Sequence, residues 1–297
     1  MKIIAPIILL IFLSSCQSEN KCIKLEERDF EINSEAEKEY ERGNIKNAIK
    51  IINEAIELNP KNYIAFSNRA AFRFEEILKR GDLKEGEREL IVEDFKYSLE
   101  ICDKFSKAQR NLIKLFYELK EFDNVIEYAE DYYKKFKKSS EILARLGDAL
   151  YEKGEFEKAI NYLDEALISD PVFNFSYIIR GKCYANLNEY DKAIDDLNKA
   201  IEIDSTWSLA YKERGYCYKK QNKKRLAQRD YFEALKVNPQ NYESYFSLGV
   251  IEIERGDTIK GCEYYQMALN NYEKDNSLVR SERWSEHIKK EKEKHCK

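Results

Sequence analysis

The side chains in this sequence that could do chemistry are few and scattered. A thiolate can attack, ligate a metal or pair with a second thiol, and there are seven cysteines: Cys16, Cys22, Cys102, Cys183, Cys217, Cys262 and Cys296. Cys22, Cys102 and Cys296 show no Cys-x-x-Cys pairing and no Cys/His metal spacing. Both histidines, His287 and His295, fall near Cys296 in the C-terminal tail, where a solvated charged helix is the simpler reading. No metal is assigned. Cys183 and Cys217 recur 34 residues apart at the same helix position, and Cys262 lies on a second helix at a packing position. All three read as small buried hydrophobes. Whether any disulfide forms is left open. Paired carboxylates such as Asp195-Asp196 sit on regular helices and read as solvated faces. No phosphate-binding loop, nucleophile elbow, zinc-protease helix or dinucleotide fingerprint occurs. The chain therefore reads as a non-enzyme that needs no cofactor.

The basic residues are better organised. Lys107, Arg110 and Lys114 fall at i, i+3 and i+7 and share one helix face. They form a basic strip suited to a carboxylate or an acidic segment, and the competing reading is a solvated face. The whole chain has a formal net charge of −4, which gives no reason to expect nucleic-acid binding.

What positions these groups is a period. Gly147, Gly181, Gly215 and Gly249 lie 34 residues apart, as do Ala166, Ala200, Ala234 and Ala268. Ala159, Ala193 and Ala227 keep the interval, with Gly261 fourth, and so do Tyr177, Tyr211 and Tyr245. Small residues at fixed spacing let antiparallel helices approach closely enough for larger side chains to interdigitate. Between the markers, Leu143, Leu146, Leu150 and Tyr151 build one apolar stripe, and Phe156, Ala159, Ile160, Leu163 and Leu167 build a second. Gly154 breaks the two apart, and Asp170-Pro171 stops the second helix.

This pattern resembles the tetratricopeptide repeat (TPR) family, whose repeat length is 34. The resemblance implies an all-α superhelical solenoid of antiparallel helix pairs. Good copies run 140–173, 174–207, 208–241 and 242–273, and 106–139 fits with Lys120 in place of the turn glycine. Residues 63–105 carry about nine extra residues, centred near 79–87. Residues 29–62 keep Gly43, Ala48, Ala55 and Pro60 but place Glu35 where an apolar residue is expected. About seven repeats thus fill 29–273. Most tyrosines, including Tyr151, Tyr184, Tyr211 and Tyr245, fall at packing positions. A Cys183–Cys217 bridge would be conceivable in an oxidising compartment, but equivalent sites in TPR stacks tend to lie too far apart.

In TPR proteins the first helix of each repeat lines a concave groove that holds an extended peptide or partner helix. Carried over to this chain, those positions are Asn68 and Ala71, then Lys107, Arg110, Asn111 and Lys114, then Arg145 and Asp148. Ile178 and Lys182 follow, and then Lys212 and Tyr216. The match to the carboxylate clamp of chaperone-binding TPR domains is partial. Asn68 and Lys107 fit, Arg110 is displaced by one residue, Asn111 stands where the second basic group belongs, and Glu37 replaces an asparagine.

At the N-terminus, Lys2 precedes an apolar run from Ile3 to Leu13, too short to span a bilayer comfortably and suited to a signal peptide. Leu13-Ser14-Ser15-Cys16 resembles a bacterial lipobox. The resemblance implies removal of residues 1–15 and acylation at Cys16 (diacylglyceryl on sulfur, a fatty acyl such as palmitate on nitrogen), hence stable membrane anchoring. Loss of Lys2 with that leader would take the formal charge to about −5. Gln17, not aspartate, follows the cysteine and by analogy favours the outer membrane in a cell that has one. Residues 16–28 then form the lipidated cysteine and a polar tether. At the other end, 274–297 reads as a capping helix using Leu278, Val279, Trp284 and Ile288, with a frayed charged tail from Lys289, and the rival reading is a docking element that uses Trp284.

These readings converge on a lipid-anchored, extracytoplasmic scaffold that binds a protein or peptide partner at the cell envelope. The alternative is a glycan- or nutrient-binding lipoprotein partnering an outer-membrane importer. It ranks lower because such proteins carry large insertions, whereas this chain has only the one near 79–87.

Overall fold

In the computed structural model, described over residues 22–136, 139–274 and 282–296, the described residues form fifteen α-helices and no strand. They come as seven antiparallel pairs and a final helix. The pairs are α1 (Glu27–Glu41) with α2 (Ile45–Leu58), α3 (Tyr63–Arg80) with α4 (Glu87–Ile101), and α5 (Ser106–Glu118) with α6 (Phe122–Phe136). Then come α7 (Ser140–Glu152) with α8 (Phe156–Ser169), α9 (Asn174–Asn186) with α10 (Tyr190–Ile203), and α11 (Ser208–Lys220) with α12 (Lys224–Val237). The last pair is α13 (Tyr242–Glu254) with α14 (Thr258–Tyr272), followed by α15 (Glu282–His295). Helices of this length are marginal alone in water, so the stack itself must hold them.

The recurring glycines explain how close the stack is. A methyl group on Gly147 would stand 2.6 Å from Leu163 Cγ, and one on Gly249 would stand 2.6 Å from the Tyr265 ring. Gly181 and Gly215 meet Leu197 and Tyr231 in the same way. Each first helix thus gives up a side chain so that a large one from its partner can enter, as the dense packing of protein interiors requires. Ala159, Ala193 and Ala227 are fully buried, as are Ala166, Ala200, Ala234 and Ala268.

The turns within the pairs obey one backbone rule. Gly43, Lys120, Gly154, Asn188, Asn222 and Gly256 all adopt positive φ, between 57° and 91°. Glycine pays nothing for this conformation, asparagine little and lysine more. The exception is the longer link from Gly81 to Gly86, which joins α3 to α4.

Polar groups also fasten successive pairs. Arg69, Arg180 and Arg214 each grip both oxygens of an aspartate on the partner helix: Asp94, Asp196 and Asp230. The other guanidinium nitrogen reaches back to the preceding pair, to Asn53, Asp164 and Asn198. Burial opposes the charge of Arg180, but its hydrogen bonds to Asp196 and Asp164 win and raise its pKa. This corrects the solvated reading of Asp195-Asp196, because Asp196 is a buried ion-pair member.

Two disulfides staple the ends. Cys22 is bonded to Cys102, at the end of α4, and Cys262 on α14 is bonded to Cys296, beyond α15. Cys262 is therefore not a simple packing cysteine, and the tail is not frayed: α15 runs to His295, with Ile288 fully buried beside Phe246 and Tyr265. Trp284 packs on Tyr242 and Phe246. Leu278 and Val279 lie outside the described residues, as does the whole of 1–21. Cys183 and Cys217 remain buried free thiols. No helix among the described residues is long and apolar enough to cross a membrane.

Candidate functional site: the concave groove

α1 packs on α3, α3 on α5, α5 on α7, α7 on α9 and α9 on α11, while the even-numbered helices are splayed apart. That asymmetry curves the stack and puts the odd-numbered helices on its inner face. Nearly all the candidate residues sit on these helices, as the repeat register requires. Ile178 is fully buried in the core and offers nothing to a partner, and Asn68 and Asp148 are also buried.

In the N-terminal half the basic strip is largely neutralised. Lys107 donates to Glu37 at 2.9 Å and to Asn68 Oδ1 at 3.3 Å, and Asn68 in turn donates to Glu37 at 3.2 Å. Three successive pairs are thereby stitched together. Lys114 binds Glu75 at 3.1 Å. Arg110 is exposed on the same helix, and Asn111 is half-buried beside it. A strip that presents one uncompensated cation is a weaker lure for an acidic segment than three would be. Glu37, which spoils the clamp pattern, is the group that holds Lys107.

The central section is a chain of charge-assisted contacts. Arg145 pairs with Glu141 at 2.6 Å and lies over the Tyr117 ring. Tyr117 donates to Asp148 at 2.5 Å, and burial, helped by that carboxylate, pushes the phenol pKa up. Asp148 also receives Lys182 at 3.3 Å, and Glu152 stands 3.8 Å from the same ammonium. Lys182 further stacks on Tyr151, 4.0 Å from the ring centroid. Burial opposes its charge, but Asp148 and Glu213 prevail and raise its pKa.

The C-terminal half deepens into a cavity of about 360 Å³, lined by residues of α7, α9, α11, α12, α13 and α15. Lys182, Lys212 and Tyr216 contribute to its wall, together with Glu152, Glu213 and Glu243, which the sequence does not single out, and Trp284 of the expected capping helix. Lys212 is bonded to Glu243 and lies 3.1 Å from Glu213. Burial penalises its charge, yet the two carboxylates hold its pKa above the ordinary lysine value. Glu213 has a visible signal, being adjacent to Lys212 in sequence. Trp284 is legible as an end-capping residue but not as a cavity wall, because its place depends on how α15 folds back across the end of the stack.

Among the described residues no group of three or more His, Cys, Asp or Glu side chains could hold a metal ion.

No curated protein sequence matches the chain. Solved structures do match in fold. A tetratricopeptide repeat protein from Parabacteroides merdae superposes with a TM-score of 0.69 over 89% of this chain and 98% of its own, at 14% identity. The Cut9–Hcn1 assembly of the APC/C matches with a TM-score of 0.58 over 73% of this chain and 41% of that one, at 18% identity. A thermophilic TPR protein of Thermus thermophilus gives 0.52 over 56% of this chain and 93% of its own, also at 18% identity. Family models described as tetratricopeptide repeat match residues 36–62, 144–206 and 213–276, which together make up just over half of the sequence. With seven helix pairs, the last five at the 34-residue period, and these matches, the chain belongs to the TPR family, whose members mediate protein–protein interactions.

Proposed function

We propose that this protein is a lipid-anchored TPR adaptor that holds a protein or peptide partner in its concave groove at the bacterial cell envelope. The observation that carries the partner role is the groove itself, a continuous face of charged and aromatic side chains running along the odd-numbered helices. Tyr151, Lys182, Lys212 and Tyr216 are placed there by the same register that buries the core.

The envelope location draws support from two separate features. Leu13-Ser14-Ser15-Cys16 follows an apolar leader and has the form of an acylation site. The Cys22–Cys102 and Cys262–Cys296 bridges suit an oxidising compartment outside the cytoplasm. Anchoring through several acyl chains on Cys16 would leave the solenoid free to face its partner.

Two measurements test the two halves. The intact mass of the mature protein should show cleavage before Cys16 and a lipid adduct, and the Cys16→Ser form should leave the membrane fraction. A Cys16 without lipid would end the anchor reading. Crosslinking in the native cells, followed by mass spectrometry, should capture one dominant protein partner at groove positions such as Lys107 or Lys114. Failure to capture any reproducible protein, combined with saturable glycan binding, would replace the adaptor with the nutrient-binding lipoprotein.

A further inference from the structure

The charges around the cavity in the C-terminal half of the groove do not balance. Two largely buried ammonium groups, Lys182 and Lys212, stand among four carboxylates, Asp148, Glu152, Glu213 and Glu243, and among the described residues the only further cation acting on Glu152 is the exposed Lys120. Each ammonium is already held by two of them. Their side chains are only 13% and 17% exposed, so neither can turn outward to meet a further anion. The nearby Lys220, over the Tyr216 ring at 5.3 Å, is solvent-exposed and its charge is screened.

A second observation points into the same space. The Tyr231 side chain is 1% exposed and lines the cavity. Its hydroxyl lies near Ser247 but has no partner at hydrogen-bonding distance. A buried polar group left this way costs free energy that a guest can recover.

We propose that this cavity is a subsite for a positively charged side chain, an arginine guanidinium or lysine ammonium, of the partner polypeptide. The inference rests on the adaptor reading for the existence of that partner, and on the cavity for its charge. Glu152 is the receiving group. Its side chain is 41% exposed against 10% for Asp148, and Lys182 is nearer to Asp148 than to Glu152. Glu152 can therefore turn toward a guest without leaving Lys182 unpaired. Asn186 uses its amide nitrogen on Tyr151 and on the Lys182 carbonyl, so its oxygen is the end that can accept. Trp284 adds a ring face that attracts a cation. This is the reverse of the chemistry expected from Lys107, Arg110 and Lys114, which lie in the other half of the groove.

The test uses the full chain with Trp207→Phe, so that Trp284 is the remaining tryptophan and reports on the cavity. Three probes are titrated: a Gly/Ala heptapeptide with a central arginine, the same peptide with a central glutamate, and spermidine. The arginine peptide should give a saturable fluorescence change that weakens with salt and loses about tenfold in affinity in Glu152→Gln, the effect of one charge-assisted hydrogen bond. Equal or tighter binding of the glutamate peptide, no binding of the arginine peptide, or an unchanged affinity in Glu152→Gln would overturn the subsite. Spermidine binding without peptide binding would overturn its assignment to a polypeptide. A partner captured by crosslinking while the arginine peptide fails would leave the adaptor standing and remove only the cation subsite.

Discussion

Arg214 and Asp230 face each other across α11 and α12 through two hydrogen bonds, Nε to Oδ2 at 2.7 Å and Nη2 to Oδ1 at 2.9 Å. Arg180 with Asp196 and Arg69 with Asp94 repeat the arrangement. In three of the other four pairs, α5/α6, α7/α8 and α13/α14, the equivalent positions hold Leu112 with Tyr128, Leu146 with Tyr162, and Leu248 with Tyr264, while α1/α2 has Glu35 and Ile51 there. The chain thus uses two interchangeable fastenings at one site, one ionic and one apolar, and changes both residues together. Removing one member of a buried pair leaves an uncompensated charge, so Asp230→Ala should cost about 3 kcal/mol of stability. The double change Arg214→Leu/Asp230→Tyr should fall within about 1 kcal/mol of the parent, since buried ion pairs often break even against apolar replacements. Denaturant melts of the three proteins would decide. A double variant as unstable as the single one would refute the equivalence.

Lys120 offers a gain instead of a loss. It holds φ at 57° where Gly154 and Gly256 serve in other repeats. Lys120→Gly should raise stability by up to about 1 kcal/mol, by relieving the left-handed strain of a side chain. Asn188→Gly should gain less, because asparagine tolerates that conformation. A thermal melt of each variant ranks them.

Reduction separates structural from inert sulfur. Without reductant, peptide mapping should find Cys22 joined to Cys102 and Cys262 to Cys296, with Cys183 and Cys217 unmodified by iodoacetamide until the protein unfolds. Burial pushes both of those thiols up to about 12, so neither carries thiolate near neutrality. Opening the two bridges, whose cysteines are separated by 80 and 34 positions in sequence, should cost about 3–5 kcal/mol apiece by the loop-entropy relation. Rapid alkylation of Cys183 in the folded protein would contradict the packing described here.

Alkaline pH should unfold the stack before tyrosine titrates in place. Burial raises the pKa of Tyr117 and Tyr231, that of Tyr265 to about 12, and those of Cys183 and Cys217 to about 12. In the unfolded chain these groups lose protons near their ordinary values, about 10 for tyrosine and about 8.5 for cysteine. Above those values the unfolded state binds fewer protons than the folded one, so stability falls as pH rises. Lys182 and Lys212, whose pKa values are also raised in the fold, act in the same direction. Denaturant midpoints should hold steady to about pH 8.5 and then decline. A midpoint that stayed flat to pH 11 would refute this.

Helix positions are legible because they follow from small residues whose spacing survives every repeat. Gly249 has to be small for Tyr265 to enter, and that need is written at 34-residue intervals. The turn at Lys120 is legible as a position and not as a strain, since only the backbone angle shows the cost. The ionic fastenings escape the sequence because Asp195-Asp196 looks like two solvated charges until Arg180, sixteen residues earlier, is placed opposite one of them. The joint change of Arg/Asp to Leu/Tyr, at an offset of 16 that the long α3–α4 link stretches to 25 for Arg69 and Asp94, is the signal that could find them. Cys262 reads as a small hydrophobe because its partner Cys296 comes from beyond the repeats, where periodicity stops carrying information. The groove lysines follow from register, but their carboxylate partners come from neighbouring pairs and depend on the curvature of the stack.

The Cys22–Cys102 bridge also sets how the molecule responds to a pull. Tension applied to the chain ahead of Cys22 crosses the disulfide and enters the backbone at Cys102, so α1 to α4 hang beside the load path without carrying force. Tension arriving from beyond Cys296 likewise jumps to Cys262 and bypasses α15 and most of α14. Only the stretch from α5 to the start of α14 is strung between the two sulfur bridges. A protein towed by its end would therefore yield in its middle repeats first, while both ends kept their shape until a reductant released them.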